Sequence, residues 1–189
     1  MYVRRHAENA VRRLAQQFGA VLVTGARQVG KTTMLHEVTQ GIHYVTLDDP
    51  VQLSAAKGAS GSFLRDNLPP IVIDEVQYAP ELFPHIKMSI DKSHAKGQFY
   101  LTWVAPATHN QNSCFLLPLR GNKVLSGSQQ FQMMENVTES LAGRLGVVNL
   151  PGLSLREQCG SDNTMPFLSA EEYYDACRTS APQLNDSVI

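Results

Sequence analysis

The chain has few cysteines and no long apolar run. Its three cysteines, Cys114, Cys159 and Cys177, lie far apart and have no His or Cys at metal-ligand spacing. This pattern fits free thiols in a reducing compartment better than a disulfide framework. No uninterrupted apolar run approaches the roughly 20 residues that a membrane span needs, and residues 1–18 lack the apolar core of a signal peptide. We therefore expect a cytoplasmic protein without membrane contact.

The chain also lacks an excess of charge of either sign. Sixteen basic residues balance 17 acidic ones, giving a formal net charge of −1 and a pI near 6.6. This balance excludes a global basic field, so any contact with nucleic acid or an anionic membrane must be local. The chain is long enough and apolar enough to form a hydrophobic core. Its 189 residues, of which 43% are hydrophobic, suffice for one compact domain.

Hydrophobic periodicity predicts strands and helices that alternate along the chain. Such alternation favours right-handed crossovers and a mostly parallel sheet with helices on both faces, which is an α/β fold. A stretch of polar and small residues separates the second predicted strand from the third. The predicted strands are 20–24, 43–47, 71–74, 99–102 and 146–150, and the predicted helices are 4–17, 31–40, one after Pro80, and 129–141.

The first predicted helix carries four arginines outside its apolar stripe, Arg4, Arg5, Arg12 and Arg13. Helical surfaces are routinely charged, so the first interpretation is a solvated face. The alternative is a local contact with phosphate or nucleic acid, and the chain carries no base-reading motif that would favour it.

A glycine-rich segment between the first strand and the second helix fits the pattern G-x-x-x-x-G-K-[ST]. Its glycines allow successive backbone N–H groups to point inward around an anion, and the following helix adds the positive end of its dipole. The lysine is expected to reach the β- and γ-phosphates, and the hydroxyl after it is a ligand for Mg²⁺. The predicted nucleotide-binding residues here are Gly25, Ala26, Arg27, Gln28, Val29, Gly30, Lys31, Thr32 and Thr33.

A pair of acidic residues ends the third predicted strand. A phosphate-binding loop needs a carboxylate at the end of a neighbouring strand to hold the metal and its water shell. Asp74 takes that place together with Thr32 as the predicted metal site, and Glu75 is the candidate general base for the attacking water. The sequence therefore predicts binding of ATP with Mg²⁺, with Lys31 and Glu75 as catalytic residues.

Seven motifs follow one another along the chain. They are GARQVGKTT (25–33), YVTLDDP (44–50), IDEVQYAPELF (73–83), GSQQF (127–131), ESLAGR (139–144), LSLRE (153–157) and PFL (166–168). In this order they resemble the bacterial and archaeal AAA-superfamily ATPases whose AAA module precedes a C-terminal domain of uncharacterised function. The resemblance implies a three-layer αβα sandwich, ATP hydrolysis and activity as an oligomer.

The resemblance also assigns an arginine before the fifth strand, which in that superfamily contacts the γ-phosphate of a neighbouring subunit. Arg144 matches this position and is the residue through which a homo-oligomer is expected. The alternative is a local ion pair of Arg144 with Glu139 or Glu135.

Two departures from the family pattern bear on turnover. About two dozen residues, 103–126, are inserted where the fourth strand normally continues directly into GSQ, so FYLT (99–102) and KVLS (123–126) compete for one place in the sheet. The family carries a polar sensing residue near this strand end, and either Ser128 or Thr102 matches it. An insertion at this place is expected to impair hydrolysis more than binding.

The second departure is that the sequence stops where the family continues into its second domain. We expect an ATP-binding domain over 1–175 and a disordered tail over 176–189, in a truncated copy of the family. Three functions follow: an ATPase module, a nucleotide-dependent binding module that holds ATP without efficient turnover, and a nucleic-acid-associated ATPase that uses the N-terminal arginines.

Overall fold

A five-stranded sheet with every pair of neighbouring strands parallel organises the chain. The structure is a computed structural model that describes residues 2–104, 137 and 140–158. The strands are β1 Ala20–Gly25, β2 His43–Thr46, β3 Ile71–Asp74, β4 Phe99–Val104 and β5 Leu145–Asn149. The helices are α1 Ala7–Gln17, α2 Lys31–Val38, α3 Pro50–Gly58, α4 Ser60–Asp66, α5 Leu82–Ser93 and α6 Leu155–Gln158, with a 3₁₀ turn at Val76–Tyr78.

The strand order is β2-β3-β4-β1-β5, so β4 lies between β1 and β3. The prediction that Asp74 ends a strand neighbouring the one before the phosphate loop is therefore wrong. The strand between them is β4, which contains FYLT (99–102). Leu101 of β4 pairs with Leu22 of β1 on one side and with Ile73 of β3 on the other. FYLT thus occupies the disputed place in the sheet, and KVLS lies outside the described residues.

The sheet separates two apolar cores, as a three-layer αβα sandwich requires. Side chains alternate between the two faces along a strand, so Ala20 and Leu22 of β1 join one core while Val21 and Val23 join the other. Helices α3, α4 and α5 cover the first core, and α1 and α2 cover the second. The predicted α/β fold with helices on both faces is confirmed.

Two helices lie in the stretch between β2 and β3, where the sequence predicted none. The first, α3, begins with a good cap, because the Asp49 carboxylate accepts a hydrogen bond from Val51 N–H at 2.9 Å and Pro50 stands in the first turn. Its core-facing residues are Ala56, which is buried, and Leu53, which is partly buried, and this pair gives a weak helical period. Packing of α3 and α4 on the sheet, rather than local periodicity, selects these helices.

The remaining boundaries agree with the predictions to within two or three residues, except for the predicted helix 129–141, most of which lies outside the described residues. Within residues 2–104 and 140–158 no helix is long and apolar enough to cross a membrane.

Arg5 is a clear exception to the predicted solvated face. Helix α1 begins at Ala7, and the Arg5 side chain before it is only 4% exposed. Arg4 and Arg12 do reach solvent, where each lies within 4 Å of a Glu8 carboxylate oxygen, at 3.8 and 3.9 Å. Arg5 is therefore unavailable to nucleic acid, and the predicted four-arginine surface does not exist in this form.

Candidate functional site

The phosphate-loop segment connects the carboxyl end of β1 to the first turn of α2. It needs glycine at two positions for different reasons. A Cβ on Gly25 would lie 2.3 Å from the backbone oxygen of Leu150, so no side chain fits there. Gly30 has φ of +90° and caps α2, a backbone conformation that L residues rarely adopt. Ala26, Arg27, Gln28 and Thr33 are exposed around the loop, so its tip is open to a ligand.

Lys31 folds back over this loop and is only 5% exposed. Its ammonium donates hydrogen bonds to the backbone oxygens of Ala26 at 2.8 Å and Gly25 at 3.2 Å. Burial lowers the pKa of Lys31 below its ordinary value, and the carboxylates of Glu75 and Asp74 act in the opposite direction. The only acceptors that Lys31 has among the described residues are neutral carbonyls, and an anion in the loop offers this ammonium a stronger acceptor.

Thr32 and Asp74 are in contact near the carboxyl ends of the strands, although they are 42 residues apart in the sequence. The Thr32 hydroxyl lies 3.0 Å from Asp74 Oδ1 and 3.2 Å from Asp74 Oδ2. A hydroxyl and a carboxylate in contact supply the hard oxygen donors that Mg²⁺ prefers. The residues present therefore fit a magnesium ion beside bound phosphates.

Two further side chains hold the Asp74 carboxylate. Thr102, on β4 between β1 and β3, is completely buried and donates its hydroxyl to Asp74 Oδ1. Tyr44, on β2, donates its hydroxyl to Asp74 Oδ2 at 2.8 Å, and its ring packs on His36 of α2. Burial, followed by the hydrogen bond to Asp74, raises the pKa of Tyr44 above its ordinary value.

The Thr102 hydroxyl also accepts a hydrogen bond from the backbone N–H of Glu75, at 2.8 Å. The Thr102 hydroxyl thus donates its proton to Asp74, and its oxygen holds the backbone of Glu75 in place at the turn after β3. Thr102 therefore orients the acidic pair. The alternative sensing residue, Ser128, lies outside the described residues.

Glu75 follows β3 in a left-handed backbone conformation, with φ of 59° and ψ of 44°. Such a conformation is uncommon for a residue other than glycine, and it often marks a functional site. The Gln77 side-chain amide donates to the Glu75 carboxylate, and Gln77 Oε1 is buried with no hydrogen-bond partner among the described residues. Burial raises the pKa of Glu75 above the usual carboxyl value; the Gln77 hydrogen bond opposes this rise and the Asp74 charge adds to it.

A cavity of about 420 Å³ lies beside the outer side of the loop. Its wall includes Tyr2 and Val3 from the N-terminal segment, Gln28 and Val29 from the loop, and Leu153 from the segment after β5. This volume lies within the range of small-molecule sites, and the lining residues include apolar ones such as Val3 and Leu153 and polar ones such as Gln28 and Thr33.

Arg144 lies away from this site. Its backbone oxygen accepts a hydrogen bond from Ala20 N–H at the amino end of β1, and β1 then runs roughly 17 Å to the loop at about 3.3 Å per residue. The Arg144 guanidinium forms an ion pair with Asp91 of α5. The local partner is thus Asp91, and the two acidic residues named as alternatives, 135 and 139, lie outside the described residues.

Sequence reasoning missed Tyr44 and Gln77 as parts of the site, and it misplaced Arg5. The first two lie within motifs that were already quoted, yet an isolated tyrosine in a strand or glutamine in a turn gives no local signal. Only the strand order brings the Tyr44 hydroxyl to Asp74.

Residues 17–106 match the family model of an AAA domain. The matched segment contains the phosphate loop, the acidic pair and Thr102, which are the parts that the geometry brings together. At the level of the family, this match supports a nucleotide-binding, ATPase-like module. It ends before Arg144 and before the segment that follows β5.

The chain is also similar to two curated proteins, an uncharacterised protein of Mycobacterium bovis and an uncharacterised protein of Mycobacterium tuberculosis. Each is 28% identical over 155 residues, which cover 82% of this chain. The aligned part is 30% of the length of each relative. The chain thus corresponds to a minor part of considerably longer proteins.

Proposed function

We propose that this chain binds ATP with Mg²⁺ and hydrolyses it. The observation that carries the proposal is the contact of Thr32 with Asp74 at the carboxyl edge of a parallel sheet, beside a lysine folded over a glycine loop. Ligands of α/β proteins bind at this edge, and the loop, the hydroxyl and the carboxylate are the parts that a triphosphate with its metal requires.

Each residue has a distinct task in this proposal. The loop N–H groups and the Lys31 ammonium bind the phosphates, with Lys31 exchanging its two carbonyl acceptors for phosphate oxygens. Thr32 and Asp74 hold Mg²⁺, which when bound neutralises charge on the β- and γ-phosphate oxygens. Glu75 accepts the proton of the attacking water, and its raised pKa makes it a stronger base than an ordinary carboxylate.

The nucleoside end fits the cavity beside the loop. Since the cavity wall includes Val29 and Gly30, a nucleotide whose phosphates occupy the loop can place its base and ribose between the N-terminal segment and Leu153. We assign ATP rather than another triphosphate on the family match alone.

Arg144 lies at the amino ends of the strands, whereas the phosphate loop lies at their carboxyl ends. Arg144 can therefore act only on a nucleotide held by another copy of the chain. We therefore include a homo-oligomer in the proposal. Arg144 is available for this task if its ion pair with exposed Asp91 opens, and exposed ion pairs are weak.

The test compares phosphate release from ATP and binding of a fluorescent ATP analogue in four proteins. These are the wild type, Lys31→Ala, Glu75→Gln, and Lys57→Ala as a matched control on the exposed side of α3. We expect Lys31→Ala to lose binding, and Glu75→Gln to bind normally but release phosphate about 10²–10⁴ times more slowly. Lys57→Ala should match the wild type. Equal release from all four proteins refutes hydrolysis.

One observation favours a second function, nucleotide-dependent binding of a partner with slow turnover. The Gln77 amide donates to Glu75 Oε2 and stabilises the charged carboxylate, which makes this group a weaker base than it would be without that hydrogen bond. Tight binding of the analogue by the wild type, with phosphate release no faster than that of Glu75→Gln, is the result that selects this function.

A further inference from the structure

The buried side chain of Arg5, in the N-terminal segment, forms hydrogen bonds with the phosphate loop and with the segment that follows β5. Arg5 Nη1 donates to the backbone oxygen of Val29 at 2.7 Å. Arg5 Nη2 donates to the backbone oxygens of Pro151, at 2.7 Å, and Gly152, at 3.2 Å. Arg5 Nε donates to a Glu157 carboxylate oxygen at 3.1 Å. The planar guanidinium has N–H groups that point in several directions, so one arginine can donate to all of these acceptors at once.

Glu157 is itself held in place, so the ion pair is a fixed support rather than a mobile surface contact. Its carboxylate accepts hydrogen bonds from the backbone N–H groups of His6, at 2.8 Å, and Ser154, at 2.7 Å, and the residue is 6% exposed. Burial alone raises the pKa of Glu157, but these two N–H groups and Arg5 outweigh it and hold the pKa below the usual carboxyl value.

The contact with Val29 has a consequence for the next residue. The peptide unit that joins Val29 to Gly30 is planar and trans, so its C=O and N–H point in opposite directions. Arg5 lies on the outer side of the loop, where its Nη1 is 3.6 Å from the place of a Cβ on Gly30. Holding the carbonyl toward Arg5 therefore turns the Gly30 N–H away from Arg5, toward the inner side of the loop.

We propose that Arg5 is a positioning residue of the phosphate loop. It holds the Val29–Gly30 peptide so that the Gly30 N–H faces the bound phosphates, and the Glu157 carboxylate compensates the buried positive charge of Arg5. This inference rests on the proposed nucleotide binding. It makes phosphate affinity depend on the segment after β5, because that segment supplies the other three acceptors of the same guanidinium.

Removing Arg5 alone is a poor test, because it leaves the Glu157 charge buried without a partner and destabilises the fold. Two variants avoid this. The double variant Arg5→Met with Glu157→Gln removes both charges. His6 and Ser154 donate to different oxygens of Glu157, so the glutamine oxygen can still accept from one of these two backbone N–H groups. The variant Arg5→Lys keeps the charge, but a single ammonium cannot reach Val29 and Glu157 as the guanidinium does. Arg65→Met, at an exposed arginine of α4, is the matched control.

The measurements are the dissociation constants of a fluorescent ATP analogue and, by competition, of inorganic tripolyphosphate, together with the midpoint of thermal unfolding. We expect both ligands to bind the double variant and Arg5→Lys about tenfold or more weakly, while Arg65→Met binds like the wild type. Weakening must appear with tripolyphosphate, since the proposal concerns the phosphates and not the base.

Three outcomes overturn the proposal. A folded double variant or Arg5→Lys that binds within twofold of the wild type shows that the loop needs no support from Arg5. Weakening for the ATP analogue but not for tripolyphosphate places the effect of Arg5 at the nucleoside end. A wild type that binds neither ligand refutes the proposed function itself, and so is distinguishable from failure of this inference alone.

Discussion

Replacing Thr102 by valine tests whether the buried hydroxyl between β1 and β3 organises the acidic pair. Valine has nearly the shape of threonine, so the substitution removes two hydrogen bonds and leaves the packing in place. The Glu75 N–H loses its acceptor, and the Asp74 carboxylate loses one of its donors. Asp74 keeps its contacts with Thr32 and Tyr44, so the carboxylate remains partly satisfied.

The magnitude follows from burial. Thr102 is completely buried, so water cannot replace either lost bond. An unsatisfied buried N–H costs about 1–3 kcal/mol, and a hydrogen bond to a charged group contributes about 1.5–3 kcal/mol. The valine methyl is easier to bury than the hydroxyl, which offsets part of this loss. We therefore expect the free energy of unfolding to fall by about 2–4 kcal/mol, and phosphate release to slow because Glu75 is no longer fixed.

Urea denaturation of the wild type and Thr102→Val measures the change, with Thr24→Val as the control for stability. Thr24 is also buried on an adjacent strand, but among residues 2–104, 137 and 140–158 its hydroxyl makes only a long contact of 3.5 Å with Asn149, which contributes little. Its valine variant should stay within about 0.5 kcal/mol of the wild type. If Thr102→Val unfolds at the same urea concentration as Thr24→Val, the hydroxyl does not organise the site as described.

Three other predictions concern the loop, the metal and pH. Gly25→Ala should lower the free energy of unfolding by about 1–3 kcal/mol, because its Cβ meets a backbone oxygen at 2.3 Å; Gly58→Ala, with open space around it, should not. Tyr44→Phe should weaken the Mg²⁺-dependent gain in nucleotide affinity roughly tenfold, measured by Mg²⁺ titration, because Asp74 loses a supporting donor. The stability contributed by Glu157 is present above its unfolded pKa and should be lost as pH falls through its lower folded pKa, and urea titrations of Glu157→Gln should show a shallower acid dependence.

Each of these three has a result that contradicts it. Equal urea midpoints for the two glycine variants would show that the loop and the segment after β5 separate easily. An unchanged Mg²⁺ dependence in Tyr44→Phe would place Tyr44 outside the metal site. An acid dependence of Glu157→Gln as steep as that of the wild type would mean that other carboxylates carry the effect.

The parts of the site that the sequence predicted are local in the chain. The phosphate-loop pattern occupies consecutive residues between one strand and one helix, and the acidic pair directly follows an apolar run, so each could be found without knowing what lies beside it. Helix α3 escaped prediction because Leu53 and Ala56 give a weak period, and α4 because it is only seven residues long, so tertiary packing selects both helices. The strand neighbouring β1 was also misjudged, since periodicity identifies strands but does not order them.

By itself, the sequence determined that Gly25 to Thr32 form a phosphate-binding loop pattern, that Asp74 ends a buried strand with Glu75 directly after it, and that strands and helices alternate. These are properties of short segments, where backbone freedom and apolar period act locally. Only the tertiary structure decided that β4 separates β1 from β3, that Thr102 and Tyr44 hold Asp74, and that Arg5 supports the loop from behind. Those side-chain contacts join residues between 24 and 30 positions apart, and the ion pair of Arg5 with Glu157 joins residues 152 positions apart. They therefore depend on how the fold brings distant segments together.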